Sequence, residues 1–140
     1  MASFGNLSKL YGNLKNGIPA KERIAQQLGA VNHSYLPSWV QGLTQIRNLC
    51  AHHSRLWNKN LMARPKILTS PPFPWIEDVP KVDEHYKIYI HLCLIKYLLN
   101  VVKPENTFSD DFKKLLVNYP IIDPNALGMK QDWHKEALWT

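Results

Sequence analysis

Apolar positions along the chain recur at steps of three and four, the spacing of one face of an α-helix, and no alternating pattern of useful strand length occurs. Phe4, Leu7, Leu10, Tyr11 and Leu14 form the first stripe, with Ser3 placed to cap it and Gly17-Ile18-Pro19 to end it. Pro19 suits the first turn of a second helix, where Ile24, Ala25 and Leu28 face inward and Gly29 closes the element. Ser34 is the expected cap of a long third helix over 35–55, with Pro37 tolerated in its first turn. Trp39, Leu43, Ile46, Cys50, His53 and Trp57 make its apolar seam.

The pattern then breaks. Leu61–Pro80 contains Pro65, Pro71, Pro72, Pro74 and Pro80, which forbid a regular helix or a central strand. Phe73, Trp75 and Ile76 lie within it, so the segment is expected to drape over the bundle and pin itself by those side chains. Helical spacing resumes with Asp83 as the expected cap and Glu84 in the first turn. Tyr86, Tyr89, Ile90, Cys93, Leu94, Tyr97 and Leu98 give that helix a wide apolar face. Ser109 is the expected cap of a short helix with Phe112, Leu115 and Leu116 inward, stopped by Tyr119-Pro120. Asp123-Pro124 starts one last turn, which Gly128 ends. Trp133, Leu138 and Trp139 imply that the tail docks, most simply on its own domain. The predicted fold is all-α: a single domain over 1–140, a bundle of four or five helices with a long Pro-rich irregular crossover.

Composition narrows the class. An apolar content of 45% is that of an ordinary globular chain, and no apolar run approaches the ~20 residues of a membrane span. The amphipathic start is unlike a secretory signal, so the expected compartment is the cytoplasm and no membrane partner is expected. Cys50 and Cys93 fall on apolar stripes of separate helices and are expected to be reduced core thiols. There is no Cys-x-x-Cys and no His-x(3)-His pair, so no metal or other cofactor is expected. His85 and His91 are six apart, do not share a helix face and are not expected to be catalytic.

Charge changes the picture more. The formal net charge is +6, yet no Asp or Glu occurs between Glu22 and Glu77. That span holds Arg23, Arg47, Arg55, Lys59, Arg64 and Lys66, and the eleven basic residues elsewhere balance the eleven acids. An acid-free basic stretch is an electrostatic footprint for a polyanion, most simply nucleic acid.

The centre of that stretch is Arg47–Asn58, RNLCAHHSRLWN. On a helical wheel Leu43, Ile46, Cys50, His53 and Trp57 fall within an arc of roughly 80°, and Asn48, His52 and Arg55 within about 60° on the far side. His52 is therefore expected on the polar face and His53 among core residues. An always-charged guanidinium beside an imidazole that titrates near neutrality suits phosphoryl chemistry. His52 is the candidate proton-transfer group, Arg47 the candidate phosphate clamp, and Asn48 the candidate for orienting the ring. Arg55, Lys59, Arg64 and Lys66 are candidates for holding flanking phosphates of an RNA, with His53 a secondary candidate.

Arg47-Asn48-x(3)-His52 resembles the Arg-x(4–6)-His signature of HEPN-domain ribonucleases. The longer string over Arg47–Asn58 is similar to the motif of the Abi-like bacterial proteins of abortive infection against bacteriophage. The likeness extends to SFGNLSKLY over Ser3–Tyr11 and to Gly128-Met129, Asp132-Trp133 and Leu138-Trp139 near the end, as in the C-terminal half of such a protein. The resemblance implies a HEPN-like bundle and a metal-independent endoribonuclease that leaves a 2′,3′-cyclic phosphate. It also implies a homodimer whose composite site joins the motifs of two chains, with the family's N-terminal half or an antitoxin or RNA as further expected partners. The surplus of Trp39, Trp75, Trp133 and Trp139 suits such an interface. The competing expectations are a non-catalytic RNA-binding or toxin–antitoxin interaction module and a purely structural helical domain.

Overall fold

The structure is a computed structural model, and residues 3–140 are described. It is all-helical, with five α-helices and no strand among the described residues. α1 spans Phe4–Asn13, α2 Pro19–Gln27, α3 Leu36–Ala51, α4 Ile88–Val102 and α5 Phe108–Asn118. Single 3₁₀ turns lie at Val82–Glu84, Asn125–Leu127 and Trp133–Lys135. α3 is the central element, packed on α1 and on α4.

Most helix boundaries follow from local chemistry. The Ser3 hydroxyl caps α1 by accepting from the Asn6 N–H at 3.2 Å, and Pro19 opens α2. Gly29 follows α2 with φ +76°, and its carbonyl accepts from the Tyr97 hydroxyl at 2.7 Å. A methyl group there would meet the Tyr97 ring at 3.0 Å, so both the turn and the close approach of α4 require glycine. α5 stops before Tyr119-Pro120, and the Asn125–Leu127 turn ends on Gly128 with φ +86°.

Several expected caps are displaced. Ser34 does not cap α3, whose flanking residue is Tyr35; the Ser34 hydroxyl instead accepts from the Lys66 ammonium at 2.8 Å. Asp83 sits in the 3₁₀ turn, and α4 begins five residues later. Ser109 lies buried inside α5, where the Thr107 hydroxyl donates to Asp111.

The main departure is the end of α3. It stops at Ala51 rather than near Arg55, because a reciprocal pair of hydrogen bonds closes it. The His53 N–H donates to the Cys50 carbonyl at 3.1 Å and the Ser54 N–H to the Leu49 carbonyl at 2.8 Å. This is the Schellman pattern, and it places His53 in the left-handed region at φ +51°. His53 is therefore exposed, not packed with core residues, and Arg55 and Trp57 leave the wheel altogether. Cys50 is also exposed: its angular position matches Trp39 and Leu43, but it sits in the last turn, without cover.

Two aromatic clusters organise the core. Tyr97 of α4 meets Trp39, Trp75 and Phe73 edge-on. Trp139 lies among Tyr89, Phe108, Phe112 and Trp133, and its indole N–H donates to the Tyr89 hydroxyl. Trp39, Trp75, Trp133 and Trp139 are all buried in this chain's own core, as is Leu138. The tail thus packs on its own fold, and the tryptophans offer no surplus for an interface.

The crossover is anchored as its composition suggested, with Trp75 and Ile76 buried and Phe73 partly exposed. Its first part is a strap stitched to α3 by side chains. The Gln45 amide oxygen accepts from the Ala63 N–H, the Ser38 hydroxyl from the Lys66 N–H, and the Trp39 indole donates to the Lys66 carbonyl. These bonds satisfy backbone groups that have no ladder to join. Gly42 makes the approach possible: a methyl group there would meet Pro65 at 3.1 Å and the His91 ring at 3.2 Å.

Candidate functional site

α1, α3 and the strap enclose a groove of about 500 Å³. α1 contributes Gly5, Ser8 and Lys9, and the strap contributes Met62 and Ala63. The floor is one stripe of α3: Gln41, Thr44, Gln45, Asn48 and His52, with Leu49 at its edge. No carboxylate lines it.

His52 is the last residue of that stripe. Its N–H closes the final turn on the Asn48 carbonyl at 3.0 Å, and its side chain is exposed at the mouth of the groove. Its ring makes no side-chain hydrogen bond or ion pair among the described residues, so both ring nitrogens are available. Asn48 lies one turn before it in the same groove. Rather than bonding the His52 ring, its side-chain oxygen accepts from the Arg47 guanidinium at 3.0 Å. Arg47 itself is exposed and stands outside the groove lining.

The structure thus places Asn48 and His52 in one groove, ties Arg47 to Asn48 outside its lining, and separates the other candidates. His53 follows His52 directly but turns away with the left-handed backbone. Arg55 lies over the Trp57 ring, with its guanidinium carbon 5.9 Å from the centroid. Arg64 lies over Tyr86 at 6.0 Å, and Lys66 over Tyr35 at 4.8 Å while it bonds Ser34. Lys59 is exposed. None of these four lines the groove, although all are solvent-facing cations of the acid-free span. No group of His, Cys, Asp and Glu suited to a metal ion occurs among the described residues. No described helix is long and apolar enough to cross a membrane.

Ser8, Lys9, Gln41 and Thr44 were not singled out from sequence. The signal for Gln41 was present: on the wheel it falls midway between Asn48 and His52, within about 20° of each. Lys9 and Ser8 belong to the polar side of α1, and only the packing of α1 on α3 brings them to the groove.

Behind the groove, His91 of α4 is fully buried against Gly42 and Pro65. Its Nδ1 lies 3.3 Å from the Lys87 carbonyl, and its Nε2 makes no well-aligned hydrogen bond among the described residues. Burial holds its pKa below the ordinary histidine value, opposed by backbone carbonyls of Lys87 and Ala63. It is a neutral core histidine, out of reach of the groove.

The class this arrangement defines is a small helical bundle with a carboxylate-free, histidine-bearing groove. Residues 1–58 match the family described as Abi-like protein. The matched segment covers α1, α2, α3 and the turn through Asn58, and so contains Arg47, Asn48, His52 and His53. No curated protein and no solved structure matches the chain.

Proposed function

We propose that this chain is a metal-independent endoribonuclease domain of the HEPN type, serving abortive infection against bacteriophage. The observation that carries the reading is His52, exposed and with no side-chain hydrogen bond among the described residues, in a carboxylate-free groove that also holds Asn48, to which Arg47 is bonded. The Abi-like match over residues 1–58 supports the biological setting. RNA supplies the nucleophile, its own 2′-hydroxyl. Cleavage then needs a proton acceptor, a proton donor and stabilisation of charge on the phosphorane. A neutral imidazole takes the 2′-hydroxyl proton, and an imidazolium delivers one to the departing 5′-oxygen. The Arg47 guanidinium meets the phosphate oxygens through two N–H donors. The solvent-facing Arg55, Lys59, Arg64 and Lys66 hold flanking phosphates and make binding salt-dependent.

One copy supplies one His52, whereas acid–base cleavage employs two such groups, so the active form is a two-fold dimer. α1 supports this arrangement, because Leu7 and Leu10 remain exposed on the helix whose other side lines the groove. Sedimentation at micromolar concentration should give twice the monomer mass, and a strict monomer counts against a composite site. The chemistry is tested with end-labelled RNA and excess chelator. Wild type should yield 2′,3′-cyclic phosphate ends, and His52→Ala should lose cleavage with an unchanged melting temperature, since the side chain is exposed and makes no hydrogen bond among the described residues. Cleavage that survives His52→Ala, or needs a metal, rejects the reading. The runner-up, a non-catalytic RNA-binding module, is favoured if RNA binds and stays whole.

A further inference from the structure

The groove extends well beyond His52. Gln41 lies eleven residues before it on the same stripe, about 16 Å along the helix. That is too far for the reacting phosphate and places Gln41 against a flanking nucleotide. The polar groups in between are already engaged: the Gln45 oxygen on the Ala63 N–H, the Asn48 oxygen on Arg47, and the Thr44 hydroxyl donating to the Val40 carbonyl at 2.7 Å. Gln41 on the floor and Lys9 on the wall make no side-chain hydrogen bond among the described residues and are exposed. Met62, 88% exposed, lines the strap side of the same groove as an unbranched thioether. With no carboxylate in the lining, a cationic ligand has no counterion here.

We infer that this part of the groove is a subsite for one unpaired nucleotide of the RNA, with Gln41 reading its base as adenine and Lys9 holding its phosphate. The inference rests on the ribonuclease reading for the identity of the polymer. A primary amide presents one acceptor and one donor side by side, the complement of adenine's N6 amino group and N7. Guanine presents two acceptors on that edge, O6 and N7, and leaves the amide oxygen facing another oxygen. Unpaired RNA bases expose such edges, whereas a duplex would hide them in a deep, narrow groove.

The test uses fluorescence anisotropy with labelled octauridines carrying one central adenosine or guanosine. Their 2′-fluoro sugars lack the nucleophile and keep the probes whole. Wild type should prefer the adenosine probe by about tenfold. Gln41→Ala should bind both probes equally and at the weaker level. Lys9→Ala should weaken both alike and reduce the salt slope by roughly one ion's worth. An unchanged preference in Gln41→Ala, an unchanged affinity in Lys9→Ala, or no binding of any probe at low salt overturns the subsite. Failure of the ribonuclease reading looks different: ordinary RNA stays uncut while the Gln41-dependent preference persists.

Discussion

His53 holds a left-handed backbone conformation that an L side chain adopts only at a cost, roughly 1–2 kcal/mol for an ordinary residue. Histidine is among the residues enriched there, and its exposed ring makes no contact that requires it. His53→Gly should therefore raise stability by up to about 1 kcal/mol, part of the relief being offset by the looser unfolded chain. His53→Val should lower it, because branching at Cβ is worst tolerated in that region. Urea denaturation midpoints distinguish the two, and a destabilising glycine would show that the ring has a structural partner. The adjacent histidines thus differ by backbone rather than by helix face: His52 ends the helix in the groove, and His53 turns the chain away from it.

At the scale of elements, the strap is held by the α3 side chains of Ser38, Trp39 and Gln45, the last of them part of the groove floor. Gln45→Ala would leave the N–H of buried Ala63 unpaired, a loss of ~1–3 kcal/mol by chemical denaturation. A loss below a few tenths would mean that water replaces the amide at no cost. Much of the element order was legible in the sequence, because helices advertise themselves by apolar spacing and by Ser3, Pro19, Gly29 and Pro120. The end of α3 was not, since a Schellman turn without glycine leaves no local mark, and the apolar period runs on through Cys50, His53 and Trp57. The strap was legible only as irregular chain. Its bonds join side chain to backbone across 18 to 28 residues, a relation that no local pattern encodes. Of the groove lining, Asn48 and His52 were readable from one helix, whereas Lys9 and Met62 depend on which elements meet.

For the whole molecule, His91 ties stability to pH. Its folded pKa is depressed by burial, so below about pH 6.5, the ordinary histidine value, the unfolded chain binds more protons than the folded one. Stability is therefore unaffected by this group above that pH and declines as pH falls through it. Melting temperature should drop between pH 7.5 and 5.5, and His91→Leu should flatten that slope whatever its effect on the melting temperature itself. An identical slope in the variant would assign the acid sensitivity elsewhere. The Glu22–His33 pair, with 2.7 Å between Oε2 and Nδ1, responds in a lower window: the His33 hydrogen bonds depress the Glu22 pKa, so its contribution is lost only as the carboxylate protonates.

The two thiols divide the molecule in another way. Cys50 is exposed two residues before His52, while Cys93 is fully buried and its pKa is pushed up by that burial. Alkylation requires the thiolate and access to it, so a maleimide finds Cys50 in the native protein and Cys93 only after α4 has left the core. The first label to attach is a dye at the exposed end of α3, and the second is a clock for the opening of the bundle.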